Sequence, residues 1–236
     1  MIRYPYVLLD ADNTLYDFDL AEHKALCKVL SERGYTPDED TLKIYLDINN
    51  ALWDAFARGE VKQEFLLVER FRRFMKQMGG DHDPVQFNAD YVSALGSNAD
   101  LIDGALEFCA HLAEMNCTLA IVTNGAAVAQ RGRYQISGLG KYIPNLFISQ
   151  ELGVNKPDPL FFEYVCRKLG IADRCEAVVV GDNLGSDILG GNRAGIDTVW
   201  YNPHKKPLCG LAQPTYTVAD FAEIERIIAG DPAEEQ

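Results

Sequence analysis

Short apolar segments alternate with longer stretches of helical periodicity over most of the chain. Tyr4–Asp10 is apolar, β-branched or aromatic and ends in a carboxylate, which predicts a buried strand. Further strands are predicted at Cys117–Thr123, Leu146–Ser149, Ala177–Gly181 and Thr198–Tyr201. Helical periods separate these strands, as at Pro159–Leu169. Short strands that alternate with amphipathic helices are typical of a parallel sheet with helices on both faces.

The segment between Leu20 and Gly96 carries helical periods and no strand pattern. Glycine follows the predicted helices, and Asp83-Pro84 supplies a cap and a first-turn proline. The predicted helices are Leu20–Arg33, Asp38–Arg58, Val61–Met78 and Pro84–Leu95. The predicted fold class is therefore α/β, with a doubly wound, Rossmann-like parallel-sheet core at 1–15 and 101–236 and an inserted four-helix domain at 16–100. The acidic end, Asp231–Gln236, is predicted to be frayed.

Composition and charge exclude several classes of protein. The chain is 47% hydrophobic and 24% charged, which is typical of a folded domain and not of a disordered one. A net charge of −13 repels a nucleic acid backbone. No apolar run approaches the roughly 20 residues that cross a membrane, and no signal peptide is recognised, so a cytoplasmic location is predicted. The six cysteines lack metal or redox spacing and are interpreted as reduced, mostly buried thiols.

Polar residues follow four of the predicted strands, where ligands bind to open parallel sheets. The first group holds Asp10 and Asp12, two residues apart. One carboxylate can attack a phosphoryl group while a second, kept protonated, moves protons for the leaving group and the water. In isolation, a D-x-D pattern is more often a capped turn, so the interpretation depends on the other three groups.

The other three groups complete a predicted phosphate and metal site. Asp182 and Asp187 follow a later strand, and with Asp10 they place three acids at one sheet edge, which favours a hard cation such as Mg²⁺. Lys156, in a proline-restricted loop, can bind phosphate, and Thr123 and Asn124 precede Gly125 in a possible anion cradle. Each group also fits a solvated loop or an ordinary turn, so only their combination predicts a site.

These four groups resemble the motifs of the haloacid dehalogenase-like (HAD) hydrolase superfamily. The matching segments are Leu8–Leu15, Val122–Gly125, Lys156-Pro157 and Gly181–Asp187. The resemblance implies that Asp10 is the nucleophile, Asp12 the acid and base, and Lys156 the charge clamp. It also implies that Thr123 and Asn124 bind the phosphoryl group. Asp10, the carbonyl of Asp12 and Asp182 are then expected to hold Mg²⁺, with Asp187 in or near the next shell.

The helical insertion resembles the type 1 cap of that superfamily. Asp12 disfavours dehalogenation, because the superfamily's dehalogenases lack an acid at that place. Asp47–Trp53, Gly59 and Glu69–Phe71 are similar to the cap of noncanonical pyrimidine 5'-nucleotidases, which implies a nucleoside monophosphate as the small phosphorylated substrate. Trp53, together with Tyr91, Trp200, Phe65, Phe71 and Phe74, is interpreted as core, and no base-binding residue is assigned.

Three alternatives to a nucleotidase stay open on the sequence. A phosphosugar phosphatase and a phosphomutase use the same scaffold, and a non-catalytic phosphate-binding regulator needs only the binding groups. Intact Asp10, Asp12 and Lys156 disfavour the regulator, because a sensor does not require both acids. Neither nucleic acid nor membrane is an expected partner, and the sequence does not decide between a monomer and a homodimer.

Overall fold

The computed structural model describes residues 2–230, and its centre is one parallel β-sheet. The six strands of this part of the chain are β1 (Tyr6–Leu9), β2 (Thr118–Thr123), β3 (Asn145–Ile148), β4 (Ala177–Gly181), β5 (Asp197–Tyr201) and β6 (Tyr216–Val218). Their order in the sheet is β3-β2-β1-β4-β5-β6. The first strand is therefore central, and the strand order reverses beside it, which is where ligands bind in such sheets.

The register of the sheet aligns the ends of the three central strands. Leu9 of β1 lies opposite Ile121 of β2 and Val180 of β4. Val7 and Leu8 are fully buried, as expected for a strand covered on both faces. The residues that follow these strands consequently emerge at one level of one sheet edge.

Ten helices surround the sheet or form the insertion in the described chain. They are α1 (Phe18–Ser31), α2 (Glu39–Ala57), α3 (Gln63–Met78), α4 (Pro84–Gly96), α5 (Ala105–Glu114), α6 (Ala127–Ile136), α7 (Ser149–Leu152), α8 (Pro159–Leu169), α9 (Leu189–Ala194) and α10 (Phe221–Ala229). A π-helical turn, Leu184–Ile188, precedes α9. The predicted α/β class with a helical insertion is confirmed.

The described chain divides into two compact units. The sheet unit contains the described residues up to Phe18, Asp100–Ala127 and the described residues from Ser137 onward. The helical unit contains Asp19–Ala99 and Val128–Ile136. Helix α6 joins the helical unit because Gly132 packs tightly on Gly96, where an added Cβ would lie 2.6 Å from the Gly96 carbonyl oxygen. The predicted boundaries 1–15, 16–100 and 101–236 did not anticipate this contact, and they stay a prediction.

The insertion leaves and rejoins the sheet unit at neighbouring positions. The amide of Asp17 donates to the carbonyl of Asp100 at 3.0 Å, and the amide of Ile102 donates to Leu15 at 3.0 Å. Tyr16 and Leu101 also form an antiparallel bridge. The two chain segments that flank the helical unit are thus tied to each other by the main chain.

The helical unit encloses a polar group within an aromatic core. Arg70 is 3% exposed, and its guanidinium donates to the side-chain oxygens of Asn49 and Asn88 and lies over the Tyr91 ring. The hydroxyl of Tyr91 donates to buried Glu22 at 2.9 Å. Hydrogen bonding satisfies these buried groups, which otherwise destabilise a core.

Several expectations about local structure need correction. Phe65 is 46% exposed and does not belong to the core, and Trp53 is only partly buried, with its ring edge-on to Phe56. Strand β6 and helices α7 and α10 were not predicted. Three of the six thiols are buried, so "mostly buried" was too strong; these are Cys109, Cys117 and Cys166.

Two further expectations concern the chain end and membranes. Asp231–Gln236, predicted to be frayed, lies outside the described residues. Within the described part of the chain, none of the helices is both long and apolar enough to cross a bilayer.

Candidate active site

The loop after β1 places two acids at the carboxyl edge of the sheet. The amide of Asp10 donates to the carbonyl of Val180 at 2.8 Å, which extends the β1–β4 ladder by one residue. Asn13 adopts a left-handed conformation, with φ of 57°, a conformation that asparagine tolerates better than most residues. The amides of Leu15 and Tyr16 both donate to the carbonyl of Ala11. The segment that carries Asp10 and Asp12 is therefore a tight, internally bonded turn.

Lys156 connects three parts of this edge with its ammonium group. Its Nζ lies 2.6 Å from Oδ1 of Asp10, 2.6 Å from Oδ1 of Asp187 and 2.7 Å from the carbonyl oxygen of Val122. An ammonium has three N–H donors, so each has an acceptor. The residue is 2% exposed. The structure thus brings the first, third and fourth predicted groups into direct contact.

The second predicted group holds the main chain of the Lys156 loop. The side-chain amide of Asn124 donates to the carbonyl of Lys156 at 2.8 Å, and its Oδ1 accepts from the Lys156 amide at 3.0 Å. The bond between Lys156 and Pro157 is cis. Thr123 is 1% exposed, and its hydroxyl accepts from the Gly125 amide at 3.0 Å. The predicted contacts of Thr123 and Asn124 with a phosphoryl group stay predictions.

Three carboxylates converge beside Lys156. Among the described residues, Asp10, Asp182 and Asp187 each offer an oxygen, and these oxygens lie within 4.8 Å of one another. Oδ2 of Asp187 accepts from the Asn183 amide at 3.1 Å while Oδ1 is held by Lys156. Both oxygens of Asp187 are thus engaged by the protein. Asp10 and Asp182 are the better direct ligands for an ion, and Asp187 suits a supporting role.

Gly181 permits this close approach of Asp187 to β4. A Cβ at position 181 would lie 2.4 Å from Cγ of Asp187, a distance that real Cβ contacts do not reach. The side chain of Asp187 therefore occupies the space that any larger residue would need. A glycine directly before Asp182 is required for this geometry.

Burial and mutual repulsion change the pKa values of the acids. Burial raises the pKa of Asp10 well above its usual range, the charge of Asp187 adds to this, and Lys156 opposes it. Burial and then Asp187 raise the pKa of Asp182 to about 7. Burial lowers the pKa of Lys156, but Asp10 and Asp187 outweigh it, so the pKa is above its usual value. One lysine therefore does not neutralise the cluster.

This donor set fits a divalent cation with oxygen ligands. Hard cations such as Mg²⁺ bind through one or two carboxylates and keep several waters. A bound cation also favours the ionised forms of Asp10 and Asp182, whose pKa values burial raises. Asp12 does not belong to this group of three carboxylates, and the expectation that its main-chain carbonyl binds the ion stays a prediction.

Two residues near the cluster had no predicted role. The hydroxyl of Thr14 accepts from the Asp182 amide at 3.1 Å, and the indole Nε1 of Trp200 donates to the Asp182 carbonyl at 2.9 Å. Thr14 lay within a recognised motif, so its proximity to the site was foreseeable. Trp200 was interpreted as core, and no sequence signal indicated its hydrogen bond.

A family model and two relatives of known name match this chain. The model of the haloacid dehalogenase-like hydrolase family matches residues 4–195. Pyrimidine 5'-nucleotidase PynA of Streptococcus pneumoniae is 35% identical over 221 residues, which cover 94% of this chain and 93% of that protein. Pyrimidine 5'-nucleotidase YjjG of Escherichia coli is 29% identical, over 96% of this chain and 99% of its own.

A solved structure extends the similarity to the fold. The HAD-hydrolase YfnB of Bacillus subtilis, in a crystal form described as bound to magnesium, superposes with a TM-score of 0.90. It is 33% identical and covers 96% of this chain and 99% of its own. The family model spans all four groups that meet at the sheet edge. The chain therefore belongs to the haloacid dehalogenase-like hydrolase family.

Proposed function

We propose that the protein is a Mg²⁺-dependent phosphatase that hydrolyses small phosphomonoesters through a phosphoaspartate. The observation that carries the proposal is the position of Asp10. Its Oδ1 is held by Lys156 at 2.6 Å, and no hydrogen bond to Oδ2 is found among the described residues. An anchored carboxylate with one oxygen available is suited to attack phosphorus. Mg²⁺ would be held by Asp10, Asp182 and the carbonyl of Asp12, and it would neutralise charge on the phosphoryl oxygens.

The first chemical step transfers the phosphoryl group to the protein. Asp10 attacks phosphorus and the ester oxygen leaves, so a P–O bond to Asp10 replaces the P–O bond to the substrate. Asp12 donates a proton to the departing alkoxide, which is a poor leaving group without it. Lys156, Thr123 and the amides of the Asn124 turn would stabilise charge on the transferred group.

The second step returns Asp10 to its starting form. Asp12, now a carboxylate, takes a proton from water, and the resulting nucleophile attacks the phosphoaspartate. The P–O bond to Asp10 breaks, inorganic phosphate leaves and Asp12 keeps the proton for the next cycle. The same side chain thus serves as acid and then as base, and the protein ends each cycle unchanged.

A pyrimidine nucleoside 5'-monophosphate is the proposed substrate. The support is the similarity over nearly the whole chain to PynA and YjjG, both named pyrimidine 5'-nucleotidases. Asn49 and Arg70, which belong to the segments that resemble a nucleotidase cap, hydrogen-bond to each other inside the helical unit. They therefore stabilise that unit, and the residues that select a base stay unassigned.

A phosphate-release screen with and without Mg²⁺ tests the proposal. Nucleoside monophosphates, phosphosugars and cofactor phosphates are compared, with Asp10→Asn as the inactive control. Release from pyrimidine nucleotides that requires Mg²⁺ is expected. Preference for phosphosugars identifies the alternative phosphatase, a requirement for a bisphosphate activator identifies a phosphomutase, and phosphate binding without release identifies a regulator.

A further inference from the structure

The peptide groups on both sides of the Asp182 Cα atom are fixed by side chains. The amide of Asp182 donates to the Thr14 hydroxyl at 3.1 Å, and its carbonyl accepts from Trp200 Nε1 at 2.9 Å. The next amide, that of Asn183, donates to Oδ2 of Asp187 at 3.1 Å. These partners come from three separate parts of the chain. Because adjoining peptide planes determine the direction of the Cα–Cβ bond, they restrict the positions that the Asp182 carboxylate can reach.

Trp200 reaches the Asp182 carbonyl from the neighbouring strand. It lies on β5 opposite Gly181 in the sheet register and is 3% exposed. A buried indole N–H requires an acceptor, and the carbonyl of Asp182 is the one it has. The pairing joins the largest side chain of β5 to the first residue after β4.

The ring of Trp200 also packs beside the turn that carries Asp187. Ile188 and Ala212 form a buried cluster with it, and the partly buried Leu184 and Leu189 pack against that cluster. Leu184 and Ile188 bound the π-helical turn in which Asp187 lies. One side chain therefore contacts the main chain of one acid through a hydrogen bond and the turn of another acid through its apolar face.

We infer that Trp200 is a positioning residue, whose indole N–H orients the carboxylate of Asp182 toward the divalent metal. This inference rests on the proposed metal-dependent function and adds a residue outside the four motifs. Partners beyond the direct ligands tune metal sites, and their removal weakens metal affinity or activity about 10- to 100-fold. Because Trp200 acts through a main-chain carbonyl, an effect near the lower limit, about tenfold, is expected.

Trp200→Phe separates the hydrogen bond from the packing. Phenylalanine keeps an aromatic ring at the site and removes only the donor and part of the ring. Trp53→Phe is the matched control, because it makes the same change in the helical unit. Mg²⁺ binding to the metal-free protein is measured by calorimetry, and thermal unfolding in chelator measures the structural effect of each change.

The expected result is a selective loss of metal affinity. Trp200→Phe binds Mg²⁺ about tenfold more weakly, whereas Trp53→Phe binds it as the wild type does, and both variants are folded in chelator at the temperature of the binding measurement. The Mg²⁺ concentration for half-maximal activity rises in Trp200→Phe, and the substrate KM at saturating Mg²⁺ does not. Affinity within twofold of the wild type in folded Trp200→Phe overturns the inference.

A measurement on the wild type covers the case in which Trp200→Phe does not fold. The chain has two tryptophans, so its NMR spectrum contains two indole N–H signals, and the signal that survives in Trp53→Phe belongs to Trp200. Addition of Mg²⁺ is expected to shift this signal and not that of Trp53. If Mg²⁺ binds and the Trp200 signal does not shift, the inference about Trp200 is refuted and the proposed metal site is not. Absence of Mg²⁺ binding by the wild type refutes the metal site, and this inference with it.

Discussion

The side chain of Asn124 and the main chain of Lys156 form a reciprocal pair of hydrogen bonds, at 2.8 and 3.0 Å. The side-chain amide of Asn124 thereby makes the two hydrogen bonds to the main chain of Lys156 that a neighbouring strand would make. This pair fixes the base of the lysine whose ammonium contacts Asp10 and Asp187. Asn124 follows β2 and Lys156 follows β3 and α7, so the pair also ties together two separate loops of the site.

Asn124→Ala is expected to lower activity by about tenfold or more, because a small displacement of a catalytic group has effects of that size. Asn145→Ala is the control, since Asn145 also donates to a main-chain carbonyl, that of Leu119 at 3.1 Å, but on β3. Steady-state kinetics and thermal unfolding of both variants check the prediction. Equal activity losses in the two variants argue against a specific role for Asn124.

Asp10→Asn is expected to abolish phosphatase activity, with a loss of at least about 10³-fold, because a neutral amide does not attack phosphorus. The fold is expected to survive, since one repelling charge is removed from a group of three carboxylates. Rapid-quench trapping of a phosphorylated protein, present in the wild type and missing in the variant, checks the role directly. Activity near that of the wild type contradicts the assignment of the nucleophile.

Asp12→Asn is expected to reduce activity most strongly for substrates with poor leaving groups. General acid catalysis contributes about 10²- to 10⁴-fold, and nitrophenolate leaves without protonation whereas a nucleoside alkoxide does not. The ratio of kcat/KM for the wild type and the variant is compared between nitrophenyl phosphate and a nucleoside monophosphate. The same ratio for both substrates argues against Asp12 as the acid.

Asp182 is expected to make the stability of the metal-free protein depend on pH. Its pKa is raised from 3.8 to about 7 by burial and by Asp187, so the native state holds a proton that the unfolded state releases. Its contribution to stability is complete below pH 3.8 and is lost as the pH rises through about 7. In chelator, the Tm of Asp182→Asn should therefore rise relative to that of the wild type between about pH 4 and 7, and the difference should level off at higher pH.

Added Mg²⁺ should reverse this trend for the wild type and not for Asp182→Asn, because the variant lacks one carboxylate ligand. The Mg²⁺-induced rise in Tm is expected to grow between about pH 6 and 8 as Asp182 loses its proton. A difference in Tm between variant and wild type that does not change with pH contradicts the raised pKa. Calorimetric scans across this range provide both measurements.

Gly181→Ala is expected to displace Asp187, since the new methyl group would lie 2.4 Å from its Cγ atom. Overpacking of this kind destabilises by about 1–3 kcal/mol, and loss of the contact between Lys156 and Asp187 should lower activity as well. Gly185→Ala is the control, because the nearest atom to its added Cβ is Oδ1 of Asn183, at an ordinary 3.4 Å. Chemical unfolding and kinetics compare the two, and similar effects contradict a requirement specific to position 181.

Much of the fold follows from local signals in the sequence. The cap predicted at Asp83 accepts a hydrogen bond from the amide of Val85, and Pro159–Leu169 is a helix with the predicted bounds. Strand β6 was missed because three residues with one buried side chain carry almost no periodic pattern. Helix α6 joins the helical unit through a glycine contact with distant Gly96, which periodicity does not encode.

The candidate site was predictable where chemistry depends on residue type and position after a strand. Asp10, Lys156 and Asp187 meet as the motif order suggested, although their catalytic roles stay predictions. The hydrogen bonds of Asn124 and Trp200 were not predictable, because each depends on the exact position of a main-chain group in another segment. Such contacts arise from tertiary packing, and no residue spacing in the sequence indicates them.

The hydrogen bond between Asp17 and Asp100, which joins the two ends of the helical insertion, has a consequence for how this chain tolerates change. The span between these residues behaves as a closed loop, and doubling the length of such a loop adds only about 0.6 kcal/mol of closure entropy. Inserts of very different length can therefore be spliced in at this point while the β1 ladder keeps its register. Tolerance of this kind is limited to inserts that keep the contact of helix α6 with Gly96, because α6 lies outside the span and would lose this partner if the whole span were removed.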